Sequence, residues 1–191
     1  DVLVHADGLA VAPGFIDFHT HLDAQLLWDP IATSSCWHGV TTVITGNCGL
    51  TLAPCRAGDR EGILGSCSRV EAMPLGVLRE AVSWEWTTFP EYLDRLDQNL
   101  GVNVAGLVGH CALRQFVMGE AASERAATPE EIERMKGVLA DCLRSGAAGF
   151  STNQNPAHMG LDGKPIASRL ATDDEILALG GVLGALNTGA I

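Results

Sequence analysis

Four short apolar segments alternate along the chain with longer segments whose apolar residues recur at helical spacing. Residues 40–47 are rich in β-branched residues, and residues 14–21 follow the turn-forming pair Pro13-Gly14, which is typical of strands. Residues 188–191 have the composition of a fifth strand that is only beginning. We therefore predict strands over 14–21, 40–47, 102–109 and 147–152.

Capping residues mark where the predicted helices begin. The pattern Thr-x-x-Glu, in which the threonine and glutamate side chains each bond the other residue's backbone N–H, starts a helix at Thr88, Thr128 and Thr172. A further helix is predicted to begin at Asp29-Pro30 and to stop at Gly39, because proline is favoured in a first turn. The segment 50–87 contains Pro54 and several glycines and has one short predicted helix near 75–82.

A strand followed by helical sequence occurs four times, which indicates an α/β fold with a parallel sheet and helical crossovers. Both a doubly wound sheet and a (β/α)8 TIM barrel fit this order. A complete barrel needs about 250 residues, and the 191 residues here supply about the first four βα units. We therefore expect the chain to be part of a longer protein.

The composition narrows the class of protein. Hydrophobic residues make up 47% of the chain and charged residues 18%, which is typical of a globular protein. The net charge of −11 argues against a nucleic-acid partner. No apolar run reaches the ~18–20 residues of a membrane helix, so no membrane partner is predicted. Six scattered cysteines without Cys-x-x-Cys spacing favour reduced thiols and a cytoplasmic location.

The candidate chemistry lies where the first two strands end. His19 and His21 are two residues apart, so in an extended chain their imidazoles point to the same side. Cys48 follows the second strand, between Asn47 and a glycine. Imidazole and thiolate are both good ligands of zinc, so these three residues form a candidate partial metal site. Asp23 is either a carboxylate that orients one imidazole or a simple turn residue.

Three further residues are candidates for binding substrate. His110 ends the third strand and faces the same end of the sheet, although a structural histidine fits the pattern equally well. Arg114 follows one turn later, and its planar guanidinium could bind a carboxylate or form a surface salt bridge. His158 lies in the loop after strand four, where barrel enzymes often place residues that determine specificity.

Several of these motifs together resemble a known family. Residues 12–21 are similar to the opening barrel strand of the amidohydrolase superfamily. Residues 39–49, which end in Asn-Cys-Gly, resemble the D-aminoacylases, also called N-acyl-D-amino-acid deacylases. Residues 109–114 and 146–151 also look like segments of that family. The His-x-His motif indicates only the superfamily, whereas Asn-Cys-Gly is much more specific.

The resemblance implies a metal-bearing (β/α)8 barrel beside a small β domain. Residues 1–12 would then be the tail of the β domain, and residues 13–191 the first half of the barrel. The rest of the barrel, or a second copy of the chain, is the expected protein partner.

The resemblance also implies roles for individual residues. His19, His21 and Cys48 would be ligands of one or two divalent metal ions, with zinc expected. The family's other ligands and its general base would lie beyond Ile191, so the catalytic residues are unknown within this chain.

The implied activity is zinc-dependent cleavage of the amide bond of N-acyl-D-amino acids, with a small N-acyl amino acid as the substrate. Two alternatives stay open. One is a cyclic-amide hydrolase of the dihydroorotase or hydantoinase kind, because the fold and the His-x-His motif fit it equally. The other is a non-catalytic half barrel that serves as a binding or assembly module.

Overall fold

A parallel sheet of four strands in chain order forms the centre of the fold. The structure is a computed structural model that describes residues 2–191. Consecutive strands are neighbours, as the barrel interpretation requires. Ala190 forms one parallel bridge with Gly149, so the predicted fifth strand is present as a single bridge beside β4. The strands are β1 (Phe15–Asp17), β2 (Val40–Thr45), β3 (Asn103–Gly109) and β4 (Gly149–Ser151).

Helices lie in the connections that follow β2 and pack against the sheet. Within the described residues, three helices lie between β2 and β3, two lie between β3 and β4, and one follows β4. They are α1 (Arg60–Val70), α2 (Leu75–Ala81), α3 (Phe89–Leu96), α4 (His110–Met118), α5 (Pro129–Arg144) and α6 (Asp173–Leu186).

The main core lies between the sheet and these helices. Val43, Val108 and Phe150, one from each of β2, β3 and β4, are fully buried. Met135 and Leu139 on α5 are also fully buried in the same cluster. Burial of side chains of this size contributes about 1.5–3 kcal/mol each relative to exposure, so this contact holds the helices against the sheet.

The predicted helix starts are confirmed. Thr88 and Thr128 each form a complete capping box with the glutamate three residues later. Thr172 accepts a hydrogen bond from the backbone N–H of Glu175 at 3.2 Å. The side chain of Glu175, however, turns into the protein and binds Arg114 instead of closing the box.

The helix predicted from Asp29 to Gly39 is wrong. The structure has only short 3-10 turns in this region, at Gln25–Leu27 and Ser35–His38. The Asp29 carboxylate accepts bonds from the backbone N–H and the hydroxyl of Thr33, at 2.8 and 3.0 Å. Such local side-chain bonds compete with helical ones. Gly39 does end the segment, in a left-handed conformation with φ of 82°.

The segment 50–87 contains more helix than predicted. The short helix near 75–82 is present as α2, but α1 was not expected. Its buried residues include Ile63 and Leu64. Two glycines and several polar residues interrupt the apolar pattern of this helix, so the sequence gives only a weak periodic signal.

The first strand is shorter than predicted and lies at the edge of the sheet. Its side chains are largely outside the core: Phe15 is 68% exposed and Ile16 is 62% exposed, and Phe18 just after it is 74% exposed. Across residues 2–191, the structure shows no helix with the length and apolar character that crossing a bilayer requires.

Removing the cap of α5 should weaken the fold measurably. We expect Thr128→Ala to lower the free energy of unfolding by about 1 kcal/mol, because the bond from the Glu131 backbone N–H is lost. Urea unfolding of the full-length protein measures this change. Thr87→Ala is the matched control, since Thr87 is exposed and precedes the cap of α3. Equal stability of the two variants would contradict the capping role.

Candidate metal centre

The carboxyl ends of the parallel strands meet at one edge of the sheet, and polar residues follow each of them there. His19 and His21 come after β1, and Cys48 after β2. His110 begins the helix that directly follows β3. This is the edge at which parallel α/β sheets and barrels bind their ligands.

The two histidines are held by the residue between them. The Thr20 backbone N–H and hydroxyl both donate to the carbonyl oxygen of Ile44 on β2, at 3.1 and 2.8 Å. His19 and His21 therefore flank Thr20, a residue that these two bonds fix just past the end of β1. Their ring centroids are 5.3 Å apart at an angle of 64°. The strand ends earlier than predicted, yet the i, i+2 pairing of the two rings is preserved.

Cys48 lies on a tight turn with left-handed backbone conformations. Gly46, Cys48 and Gly49 have φ of 79°, 56° and 74°. A left-handed conformation is uncommon for a residue other than glycine, asparagine or aspartate. The side-chain amide of Asn47 binds the carbonyl oxygens of Thr20 and Ile44, at 3.1 and 2.9 Å. The asparagine of Asn-Cys-Gly thus ties the Cys48 turn to the histidine segment.

The turn is also pressed against β3 and β4. A Cβ atom at Gly46 would lie 2.2 Å from the carbonyl oxygen of Leu107, so only glycine fits there. The Ser151 hydroxyl at the end of β4 donates to the Gly46 carbonyl oxygen and accepts from the Gly49 N–H at 3.0 Å. Contacts from the segment after β1, from β3 and from β4 therefore determine where the turn lies.

These elements bring the three predicted ligands together. One ligand atom from each of His19, His21 and Cys48 lies within 4.8 Å of the other two. The Cys48 Sγ and His19 Nε2 atoms are 3.4 Å apart. Ligand atoms around a tetrahedral zinc ion lie about 3.3–3.6 Å apart, given its bond lengths. The donor types and spacing fit zinc after small side-chain adjustments, and metal ligation stays a prediction.

The surroundings of His21 favour neutral imidazole, the form that binds metal. Burial lowers the pKa of His21, and the neighbouring His19 and His158 lower it further. Burial raises the pKa of the Cys48 thiol, partly offset by a hydrogen bond from the side chain of Asn153. Because a metal ligand must be deprotonated, bound metal would compete with the proton at this thiol.

The carboxylate that lies beside an imidazole is Glu71 rather than Asp23. Glu71 Oε1 lies 3.4 Å from His21 Nδ1, which leaves the Nε2 atom of His21 for a metal ion. Asp23 instead accepts a bond from the Gly46 N–H at 3.1 Å, and burial raises its pKa to about 7. Sequence analysis missed Glu71, because it follows α1, which was itself not predicted.

The structure buries two of the three predicted substrate-binding residues. The side chains of His110 and Arg114 have no exposed surface and both bind the carboxylate of Glu175. A substrate contact by either would require Glu175 to be displaced. His158 is half-buried and close enough to His21 to lower its pKa. Its backbone carbonyl accepts a bond from the Arg169 guanidinium at 3.2 Å. Substrate binding by these residues stays a prediction.

A four-stranded parallel sheet with histidines after its first strand and a cysteine after its second is thus established. A family model described as the Amidohydrolase family matches residues 2–190, and the chain belongs to this family. D-Aminoacylase of Alcaligenes xylosoxydans xylosoxydans is 43% identical over 150 residues, which cover 78% of this chain and 28% of that protein. The chain thus spans less than a third of the length of the curated relatives it matches.

Solved structures agree with the fold. A crystal structure of D-aminoacylase superposes with a TM-score of 0.70 at 35% identity, covering 92% of this chain and 33% of that one. N-Acyl-D-glutamate deacylase of Bordetella bronchiseptica, solved with zinc and a phosphonate mimic of the tetrahedral intermediate, gives a TM-score of 0.69 at 29% identity. That comparison covers 92% of this chain and 32% of the deacylase. The sheet is therefore the half-barrel part of an amidohydrolase TIM barrel.

A side chain at Gly46 should disrupt the Cys48 turn. We expect Gly46→Ala to lower the free energy of unfolding by about 2–4 kcal/mol, because it combines a positive φ with a clash against backbone. Gly58→Ala is the matched control, since a Cβ there meets nothing within 4 Å. Urea unfolding and bound-metal analysis of both full-length variants test this. A Gly46→Ala variant as stable as the control would contradict the close approach.

Proposed function

We propose that the full-length protein is a zinc-dependent hydrolase that cleaves the amide bond of N-acyl-D-amino acids. The observation that carries this proposal is the convergence of His19, His21 and Cys48 ligand atoms within 4.8 Å. The family match and the similarity to D-aminoacylase support the reaction class. The zinc-bound N-acyl-D-glutamate deacylase supports the choice of metal.

Each residue of the site has a distinct proposed task. His19 and His21 would donate imidazole nitrogens to the metal, and Cys48 a thiolate. Bound zinc would polarise the scissile carbonyl and lower the pKa of a bound water toward ~7. The Glu71 carboxylate holds the ring of His21 through its Nδ1 atom. His158 lies beside His21 and is the candidate for contact with the substrate. The general base is proposed to lie after Ile191.

The proposed architecture follows the same family. Residues 1–12 would be the tail of a small β domain, and 13–191 the first half of the barrel. The rest of the barrel would then pack beside β1 and β4. All six cysteines are free thiols, which supports a proposed location in the reducing cytoplasm.

The substrate class is tested with paired enantiomers. We expect the full-length protein to hydrolyse N-acyl-D-amino acids faster than their L counterparts, and a chelator to abolish this activity. Added zinc should restore it. Appearance of free amino acid measures the rate. Zinc-loaded protein that cleaves neither series, but opens cyclic amides such as hydantoins, would contradict the deacylase proposal and favour a cyclic-amide hydrolase.

The role of Cys48 is tested by removing its thiol. We expect Cys48→Ala to lose bound zinc and at least about 100-fold of the activity, because a metal ligand is removed. Metal analysis and the deacylation rate of the full-length variant measure both effects. Cys36→Ala is the control, since its half-buried thiol lies between β1 and β2, outside the ligand cluster. Full zinc content and activity in Cys48→Ala would exclude Cys48 as a ligand.

A further inference from the structure

The end of β4 and the residues that follow it support the Cys48 turn. The Ser151 hydroxyl bonds both ends of the turn, at Gly46 and Gly49. The side chain of Asn153 faces the Cys48 thiol and partly offsets the rise of its pKa. Because neighbouring side chains in an extended chain point to opposite sides, Ser151 and Asn153 share the side that faces Cys48. The side chain of Thr152 points away from it.

Asn153 is itself held in one orientation. Its Oδ1 atom accepts the N–H of Asn155 at 2.6 Å, which fixes the orientation of the amide. The backbone carbonyl of Asn153 accepts a bond from the Ser168 hydroxyl at 2.8 Å. A Cβ at Gly49 would lie only 3.5 Å from the Thr152 Cα atom and 3.6 Å from the Asn153 nitrogen. Movement of residues 152–153 would therefore displace the Cys48 turn.

Thr152 is anchored on its other side by the buried histidine. The Thr152 Oγ1 and His110 Nδ1 atoms are 2.8 Å apart, and His110 Nε2 lies 2.8 Å from Glu175 Oε1. A carboxylate only accepts, so His110 Nε2 carries the proton. Burial lowers the pKa of His110, which keeps the ring neutral. Its Nδ1 atom therefore accepts the proton of the Thr152 hydroxyl.

Arg114 fixes the far end of this chain of bonds. One nitrogen of its guanidinium, Nη1, contacts both carboxylate oxygens of Glu175, at 2.6 and 2.5 Å. Its Nη2 atom binds the carbonyl oxygens of Ala122 and Arg125, at 3.2 and 2.7 Å. Both side chains of the ion pair are fully buried. A buried ion pair is seldom retained for stability alone, because desolvation offsets much of its attraction.

We propose that Arg114, Glu175 and His110 form a positioning network that acts through the Thr152 hydroxyl to hold the Cys48 thiolate in place for the metal. This inference rests on the proposed metal centre and gives His110 and Arg114 a task other than substrate contact. Thr152 is the point where the network meets the segment that supports Cys48. Outer residues of this kind affect metal affinity by about 10–100-fold when they are changed.

The experiment replaces the hydroxyl by a methyl group of similar size. Thr152→Val in the full-length protein should weaken Co²⁺ binding about 10–100-fold in a competition titration with a chromogenic chelator. The cobalt–thiolate charge-transfer band should shift or lose intensity, because the thiolate is misplaced. Thr152→Ser keeps the hydroxyl and should retain the wild-type affinity and band. Glu175→Gln should resemble Thr152→Val.

A stability control separates positioning from general weakening of the fold. Thr128→Ala removes a helix cap remote from the ligand cluster and should leave the band and the Co²⁺ affinity unchanged. Thr152→Val with wild-type band and affinity would overturn the network. Equal losses in Thr128→Ala would also overturn it. A wild-type protein without any cobalt–thiolate band would instead overturn the proposed metal centre itself, and the network with it.

Discussion

The close packing of the Cys48 turn against β3 is the constraint on which the rest of the site depends. The backbone at Gly46 lies so near Leu107 that no side chain fits, so the turn cannot shift toward the sheet. From this fixed position Asn47 reaches back to the segment that holds the histidines. Ser151 closes the turn from the opposite side. A thiol and two imidazoles from separate strands therefore converge because backbone atoms, rather than the ligands themselves, determine their places.

Sequence reasoning found the parts of this site that local rules control. The spacing of His19 and His21 and the threonine caps are short-range patterns, and the structure preserves the pairing of the rings and the capped helix starts. Local sequence patterns do not reveal contacts between residues that are far apart along the chain. Glu71 reaches His21 only through a helix whose apolar pattern glycines interrupt, and Glu175 had the pattern of a capping residue. Nothing in the spacing of either glutamate indicates its partner.

The polar residues at this edge of the sheet divide into two groups with different surroundings. The candidate ligands are exposed or half-buried, so an ion and a small molecule can reach them. His110, Arg114 and Glu175 are sealed from solvent and satisfied mainly by one another. A histidine at the end of a barrel strand is a candidate for binding a metal ion or a substrate, but its burial decides whether it can contact either. The sealed group is suited to transmitting a fixed geometry, whereas the accessible group is suited to exchanging ligands.

The distance along the chain between the two sides of the Cys48 turn has a consequence for biogenesis. The Gly49–Ser151 bond joins residues 102 positions apart, whereas the bond from Asn47 to Thr20 spans 27. At about 5–20 residues per second, translation delivers the β4 side about 5–20 s after the Cys48 turn itself. A nascent chain thus displays both imidazoles and the thiol before their support exists. A metal ion captured in that interval would be held by mobile ligands and would exchange readily. Folding of β4 would then fix the ligands and slow the release of the ion.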